Sequence, residues 1–276
     1  MNQSTVTLTP RMAERDFSGS AQEAALDVSD ATIRFGDVIA CQKVSLKVAP
    51  GEFVSIVGPS GCGKTTILNY AAGLLPFDAL AGGDIRVYSQ KPTVGNHRLG
   101  YMLARDSLLM WRTALKNAEF GAEARGVPRR EREKLAADLI ERVGLKGFES
   151  AYPKELSHGM RQRVALARTF CMDADMLLMD EPFGALDAQT KFQLEELLLS
   201  LWQESKRTVV FVTHDLAEAI ALGDRVIVMA PRPGRIIGDI EIDLPRPRNL
   251  RALQRTDRYH ELYKQVWTTM EEGFAK

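Results

Sequence analysis

The sequence predicts an α/β fold, a mostly parallel sheet covered by helices with a helical lobe inserted into the chain. Three observations predict it. Short apolar runs without alternation recur along the chain: "FVSIV" before Gly58, "MLLM" before Asp180, "VVFV" before Thr213 and "RVIVM" before Ala230. Strands buried on both faces read this way, as they do in parallel sheets sandwiched by helices. Each run ends at turn residues or reactive side chains, and open parallel sheets bind ligands beyond the carboxyl ends of their strands. Between about 115 and 172 the pattern turns helical, with Leu135, Leu139 and Val143 spaced by four among charged residues.

The remaining elements follow in order. Residues 1 to 24 are rich in Ser, Thr, Gln and Gly and poor in large apolar residues, so a mobile tail is expected there. A domain over 25–247 follows, its helical part lying at about 104–172. Leu194, Leu197, Leu198 and Leu201 form the packing face of another helix. "PRPR" at 245–248 discourages helix, and an extension over 248–276 then carries a stripe of Tyr259, Leu262, Tyr263, Val266, Trp267 and Met270. This last helix is expected to dock on its own domain.

Composition narrows the function classes. With 276 residues, 45% hydrophobic and 26% charged, the chain can bury a substantial core and is neither disordered nor fibrous. Lys plus Arg equals Asp plus Glu at 36 each, so no bulk field attracts nucleic acid, and no nucleic-acid partner is expected. Cys41, Cys62 and Cys171 are widely spaced and form no C-x-x-C, which fits neither a disulfide framework nor a zinc cage. The start of the chain lacks a signal-like apolar run and no stretch approaches a membrane span. A soluble protein of a reducing cytosol is expected, reaching a membrane only through a partner.

The strongest chemical signal is "GPSGCGKTT", Gly58, Pro59, Ser60, Gly61, Cys62, Gly63, Lys64, Thr65 and Thr66. It fits G-x-x-x-x-G-K-S/T where a strand gives way to a helix. Glycines allow successive amide N–H groups to turn inward around phosphate oxygens, and the helix start adds partial positive charge. Lys64 then faces the β and γ phosphates of ATP, and the Thr65 hydroxyl can ligate Mg²⁺. A structural Gly-rich turn would need neither side chain. Cys62, near a helix start, is a candidate for a favoured thiolate, although a residue so placed more often merely fills the loop. In "MLLMDEP", Asp180 ends a strand and can hold Mg²⁺, while Glu181 is the candidate general base. Base assistance is typically worth about 100- to 10,000-fold.

A second helix start needs explaining. "LSHGMRQRVALAR" places Ser157 as a cap before a basic helix, although the chain already has a phosphate loop. "GPSGCGKTT", "LSHGMRQRVALAR", "MLLMDEPFGALD" and "VVFVTHD", in that order, make the chain resemble the ATP-binding-cassette (ABC) ATPases over nearly all of 25–247. The resemblance implies a P-loop NTPase (RecA-like) core with an antiparallel β subdomain and an inserted α-helical subdomain. It also implies two cassettes closing head to tail around two ATP molecules. Ser157 and the backbone near Gly159 would face the γ phosphate held by the opposite subunit. A helix end contributes only about 0.3 to 2 kcal/mol, too little for a separate ATP site but enough to make closure depend on the γ phosphate. Asp187 in "GALD" is implied at the dimer seam, His214 at the γ phosphate or the attacking water, and Phe35 in "IRFGD" on the adenine.

Two positions depart from that family. Ala104 stands where a glutamine usually reaches Mg²⁺ and water, which implies slowed or altered hydrolysis. His158 stands where glycine is usual, adding bulk and a hydrogen-bond donor.

A cassette without a membrane segment resembles the detachable ATPase of a bacterial importer, peripheral on the cytoplasmic face of the inner membrane. Transmembrane permease subunits are the implied partners, with a solute-binding protein acting through them. Leu108, Leu109, Met110 and Trp111 either offer the apolar surface that meets the permease or are buried inside the cassette. "LLMW" and "VMAPRPGRI" resemble the group serving nitrate, sulfonate and taurine, although Pro is usual at Met110. A soluble cassette of DNA repair or translation and a weakly hydrolysing regulatory cassette are the alternatives. The solute is selected elsewhere, in the permease and binding protein.

Overall fold

The structure, a computed structural model, describes residues 23–104 and 107–274. The expected N-terminal tail thus lies almost wholly outside the described residues. Strands β1 (Leu26–Phe35) and β2 (Val38–Val48) precede β3 (Phe53–Val57), α1 (Lys64–Ala71), β4 (Leu80–Val87) and β5 (Leu99–Met102). Helices α2 (Ala114–Ala118), α3 (Phe120–Ala124), α4 (Arg129–Arg142) and α5 (His158–Cys171) come next. The chain then runs through β6 (Met176–Asp180), α6 (Ala188–Ser205), β7 (Thr208–Thr213), α7 (Leu216–Leu222), β8 (Arg225–Ala230) and β9 (Arg235–Glu241). It ends in α8 (Leu250–Leu253) and α9 (Asp257–Phe274).

Two sheets result. An antiparallel sheet has the order β2-β1-β4, and a six-stranded sheet has the order β5-β6-β7-β3-β8-β9. In the larger sheet every neighbouring pair is parallel except β8 with β9. The unbroken apolar runs have a direct cause in this stacking. Phe53 and Val57 of β3, Leu177 and Met179 of β6, and Val209 and Phe211 of β7 face one core, shared with the helices. Their neighbours Val54, Ile56, Met176, Leu178, Val210 and Val212 face a second core, shared with the antiparallel sheet and α1. Side chains alternate between faces, and both faces are dry.

The helical segment packs by α2 and α4 against α5. A buried Asn117 organises the approach to it: Nδ2 donates to the carbonyls of Leu109 (3.1 Å), Arg112 (2.9 Å) and Thr113 (3.1 Å), and Oδ1 accepts from Leu109 N (2.7 Å). Every polar atom of this amide is engaged, which holds residues 109–113 in an irregular path. That path divides the four apolar residues between the two expectations: Leu108 turns into the core and Leu109 is half-buried, while Met110 and Trp111 stand in solvent.

The C-terminal stripe is also narrower than expected. Tyr259, Leu262 and Val266 enter the large core and Met270 packs against it. Tyr263 and Trp267 lie one position too far around the helix; they are exposed and stack on each other with ring centroids 6.4 Å apart. The extension is tied down by Arg248, whose buried Nη1 donates to the carbonyls of Ala221 (3.1 Å) and Gly223 (2.7 Å) at the end of α7. A cation there satisfies orphan carbonyls and complements the helix dipole. Among the described residues no helix is long and apolar enough to cross a membrane.

Glu195 is buried on α6, and burial pushes its carboxyl up to about 8, with the Glu218 charge adding to the effect. Between its ordinary value of 4.5 and about 8, the folded protein holds a proton that the unfolded chain has released. Stability from this group therefore falls as pH rises through that window. Glu195→Gln is expected to leave Tm nearly unchanged at pH 5 and to raise it above pH 8, by about 2 to 4 °C per kcal/mol recovered. Thermal unfolding of both proteins at the two pH values measures it.

Candidate nucleotide site

The loop between β3 and α1 is built by close approach. A Cβ at Gly58 would lie 2.6 Å from the Met229 carbonyl oxygen, so β8 passes too near for any side chain. Gly63, at φ +92°, precedes the first residue of α1, and a Cβ there would lie 2.2 Å from Cys41 Sγ. The backbone can therefore curl tightly beneath the helix N-terminus, where its amides and the helix dipole favour an anion.

Lys64 is buried, and its Nζ donates to the carbonyls of Gly58 (2.8 Å) and Pro59 (3.0 Å) and sits 3.8 Å from Glu181 Oε1. Thr65 Oγ1 donates to Asp180 Oδ1 at 3.0 Å. Burial raises the Asp180 carboxyl above its usual range, with Thr65 and Lys64 pulling the other way and the Glu181 charge adding to the rise. A cation beside Asp180 would relieve that cost. The hydroxyl and carboxylate are hard oxygen donors of the kind Mg²⁺ takes, and Mg²⁺ needs only one or two protein ligands when phosphates and water supply the rest.

Glu181 carries its carboxylate on a backbone at φ +46°, uncommon for a non-glycine residue, and its N–H donates to Val212 O at 2.9 Å. Its Oε2 lies 3.0 Å from Nδ1 of His214, which follows β7. One carboxylate thus spans Lys64 and His214. Lys64 and Glu181, with Thr65 and Asp180 but without His214, border a cavity of about 400 Å³ whose other lining residues are Ala40, Ser60, Gly61, Gly63, Thr66 and Ala104. Its walls suit a polyphosphate with a divalent cation bridging to the acids.

The other expected residues stand elsewhere. Ser157 caps α5, its Oγ accepting from Met160 N at 3.3 Å, and Asp187 caps α6, its Oδ1 accepting from Thr190 N at 3.0 Å. A Cβ on Gly159 would meet Thr190 Cγ2 at 2.7 Å, so the two helix starts pack side by side. Ser157 and Asp187 are exposed and neither borders the cavity. Phe35 is exposed at the turn between β1 and β2 and lines a separate cavity with Arg34, Gly36, Pro76, Asp78 and Ala79.

Cys62 requires a correction. Its side chain is fully buried, packed toward Gly58, and burial drives its pKa upward despite the nearby Lys64. The helix start does not favour the thiolate because desolvation outweighs it. Sequence reasoning also missed Gln162. This fully buried side chain on α5 donates through Nε2 to Pro182 O (3.0 Å), just beyond Glu181, and to Ala104 O (3.4 Å). A polar residue on the apolar side of a basic helix was the available signal.

The family described as "ABC transporter" matches residues 41–184. An uncharacterized ABC transporter ATP-binding protein of Methanocaldococcus jannaschii is 46% identical over 87% of this chain and 87% of its own. A taurine import ATP-binding protein of Rhizobium johnstonii is 40% identical over 84% of this chain and 90% of its own. An ATP-binding cassette solved as a dimer in a post-hydrolysis state with ADP and Pi superposes with a TM-score of 0.67, at 29% identity, over 80% of this chain and 100% of that one.

All three cysteines are buried. Iodoacetamide at neutral pH is expected to leave Cys62 unmodified in the folded protein and to alkylate it fully in denaturant, as read by mass spectrometry.

Proposed function

Because the chain belongs to the ABC transporter family of ATP-binding proteins, we propose that it is the ATP-hydrolysing subunit of a membrane importer for a small anion such as nitrate, a sulfonate or taurine. The observation that carries the hydrolytic reading is the run Lys64–Glu181–His214 beside the Thr65–Asp180 pair, all at the carboxyl ends of neighbouring strands. Lys64 and the loop amides of Gly58 to Thr66 bind the phosphates. Thr65 and Asp180 would hold Mg²⁺, which would supply charge neutralisation at the phosphates. Glu181 accepts the proton of the attacking water, and His214 orients Glu181 or contacts the γ phosphate. Phe35 stacks on adenine from its exposed turn.

The exposed caps Ser157 and Asp187, with Gly159 between packed helix starts, are the surface offered to a second cassette. The dimeric cassette of similar fold supports that pairing. For the permease, two features serve. Met110 and Trp111 project into solvent, and a cavity of about 490 Å³ opens between the sheet and the helical segment, lined by Leu74, Leu99, Tyr101, Gly121 and Met172 among others. The protein then sits peripherally on the cytoplasmic face, with a solute-binding protein reached through the permease. The taurine import relative supports the anion class.

Glu181→Gln is expected to lower turnover by about 100- to 10,000-fold and to accumulate as a paired species with MgATP. Analytical ultracentrifugation, with and without a sister subunit, reads it; only solitary chains would overturn the sandwiched site.

Ala104 on the cavity wall favours a second reading, a slow or regulatory hydrolase. Ala104→Gln restores a side chain able to reach metal and water and is expected to raise kcat several-fold. Steady-state phosphate release decides it, a flat or reduced rate counting against the idea.

A further inference from the structure

His214 is more than half exposed, and among the described residues its ring is held by one partner, Glu181. Its backbone, by contrast, sits in a turn gripped on both sides. Thr213 Oγ1 accepts from Asp215 N at 3.0 Å and donates to the buried Glu218. Asp215 Oδ1 accepts from the amides of Ala217 (2.9 Å) and Glu218 (3.3 Å), which starts α7. Asp215 Oδ2 accepts from Lys191 Nζ at 2.7 Å, and the same ammonium lies 3.5 Å from Glu218 Oε2. Lys191 is largely buried and stands one turn into α6. Tyr259 of α9 closes the far side, donating to Ala217 O at 3.3 Å.

Two carboxylates therefore converge on one ammonium, and the Thr213 hydroxyl joins one of them, immediately behind His214. Burial works against the Asp215 charge, yet Lys191 holds its carboxyl below the usual range. Take Lys191 away and Asp215 and Glu218 face each other unneutralised. The turn 213–215 is then free to shift, and a side chain tethered only at its tip follows its backbone.

We propose that Lys191 is a positioning residue for hydrolysis: by clamping Asp215 and Glu218 it sets the turn that aims His214 at Glu181. This rests on the catalytic reading of Glu181 and His214 given above. A shift of about 1 Å in a reacting group can cost about 100-fold, so a loosened tether is expected to lower kcat by about tenfold. The phosphate loop is untouched, so KM for ATP is expected to stay within about twofold.

The test is a double-mutant cycle on the full chain in its native complex. K191M is expected to lower kcat about tenfold with KM nearly unchanged, and K191R to recover most of it. In an H214A background the effect of K191M is expected to shrink below about twofold, because the residue it aims is gone. D215N, which keeps the cap acceptor but removes the charge Lys191 grips, gives the same readings should K191M fold poorly. A kcat loss of equal size in the presence and absence of the His214 imidazole would overturn the proposal, as would failure of K191R to restore activity in a folded protein. If H214A lowers kcat and neither K191M nor D215N does, this proposal falls and the catalytic reading stands. If H214A itself turns over normally, both fall.

Discussion

Parallel pairing of β6 with β7 and of β7 with β3 is the constraint from which the chemistry follows. The three strands run in one direction and end at one edge, so the residues just past them meet although they are far apart in sequence. Lys64 follows β3, Glu181 follows β6 and His214 follows β7. These strands hold their register firmly, since slipping by one residue would exchange the side chains fitted to the two cores. The apolar runs are thus tied to the position of every polar group at the site.

Charge is arranged at that edge with little to spare. Asp180 and Glu181 are neighbours in sequence, but one carboxylate is buried beside a hydroxyl and the other reaches outward between an ammonium and an imidazole. Their environments separate their roles: Asp180 is buried with a hydroxyl as its contact and only the more distant Lys64 for counter-charge, which suits a metal, while Glu181 lies between an ammonium and an imidazole, which suits proton transfer. Lys64 touches loop carbonyls and Glu181 together, which ties the phosphate loop to the acid strand. Behind His214 the same economy recurs, with Lys191 serving Asp215 and Glu218 at once.

The surfaces divide by a different rule. Helix starts at Ser157 and Asp187 face solvent side by side, with their first turns held together through Gly159 and Thr190. Met110 and Trp111 are presented by a loop that Asn117 ties from within. A buried amide under the loop and close packing between the two helix starts keep each feature in shape.

Periodicity and motif made much of this readable in advance. The strands, the phosphate loop, the acidic strand end and the caps depend on local geometry or on residue types with one obvious chemistry, so they are written in short windows of sequence. Four features were not. Leu108 turning inward, Tyr263 and Trp267 falling outside the packed stripe, the suppression of the Cys62 thiolate, and the burial of Gln162 and Lys191 all depend on what lies across space. A dipole at a helix start is a local property, whereas desolvation of a thiol packed into the second core is not. Local order sets which groups are available, and the packing of distant segments decides which are wet, which are charged and which are aimed.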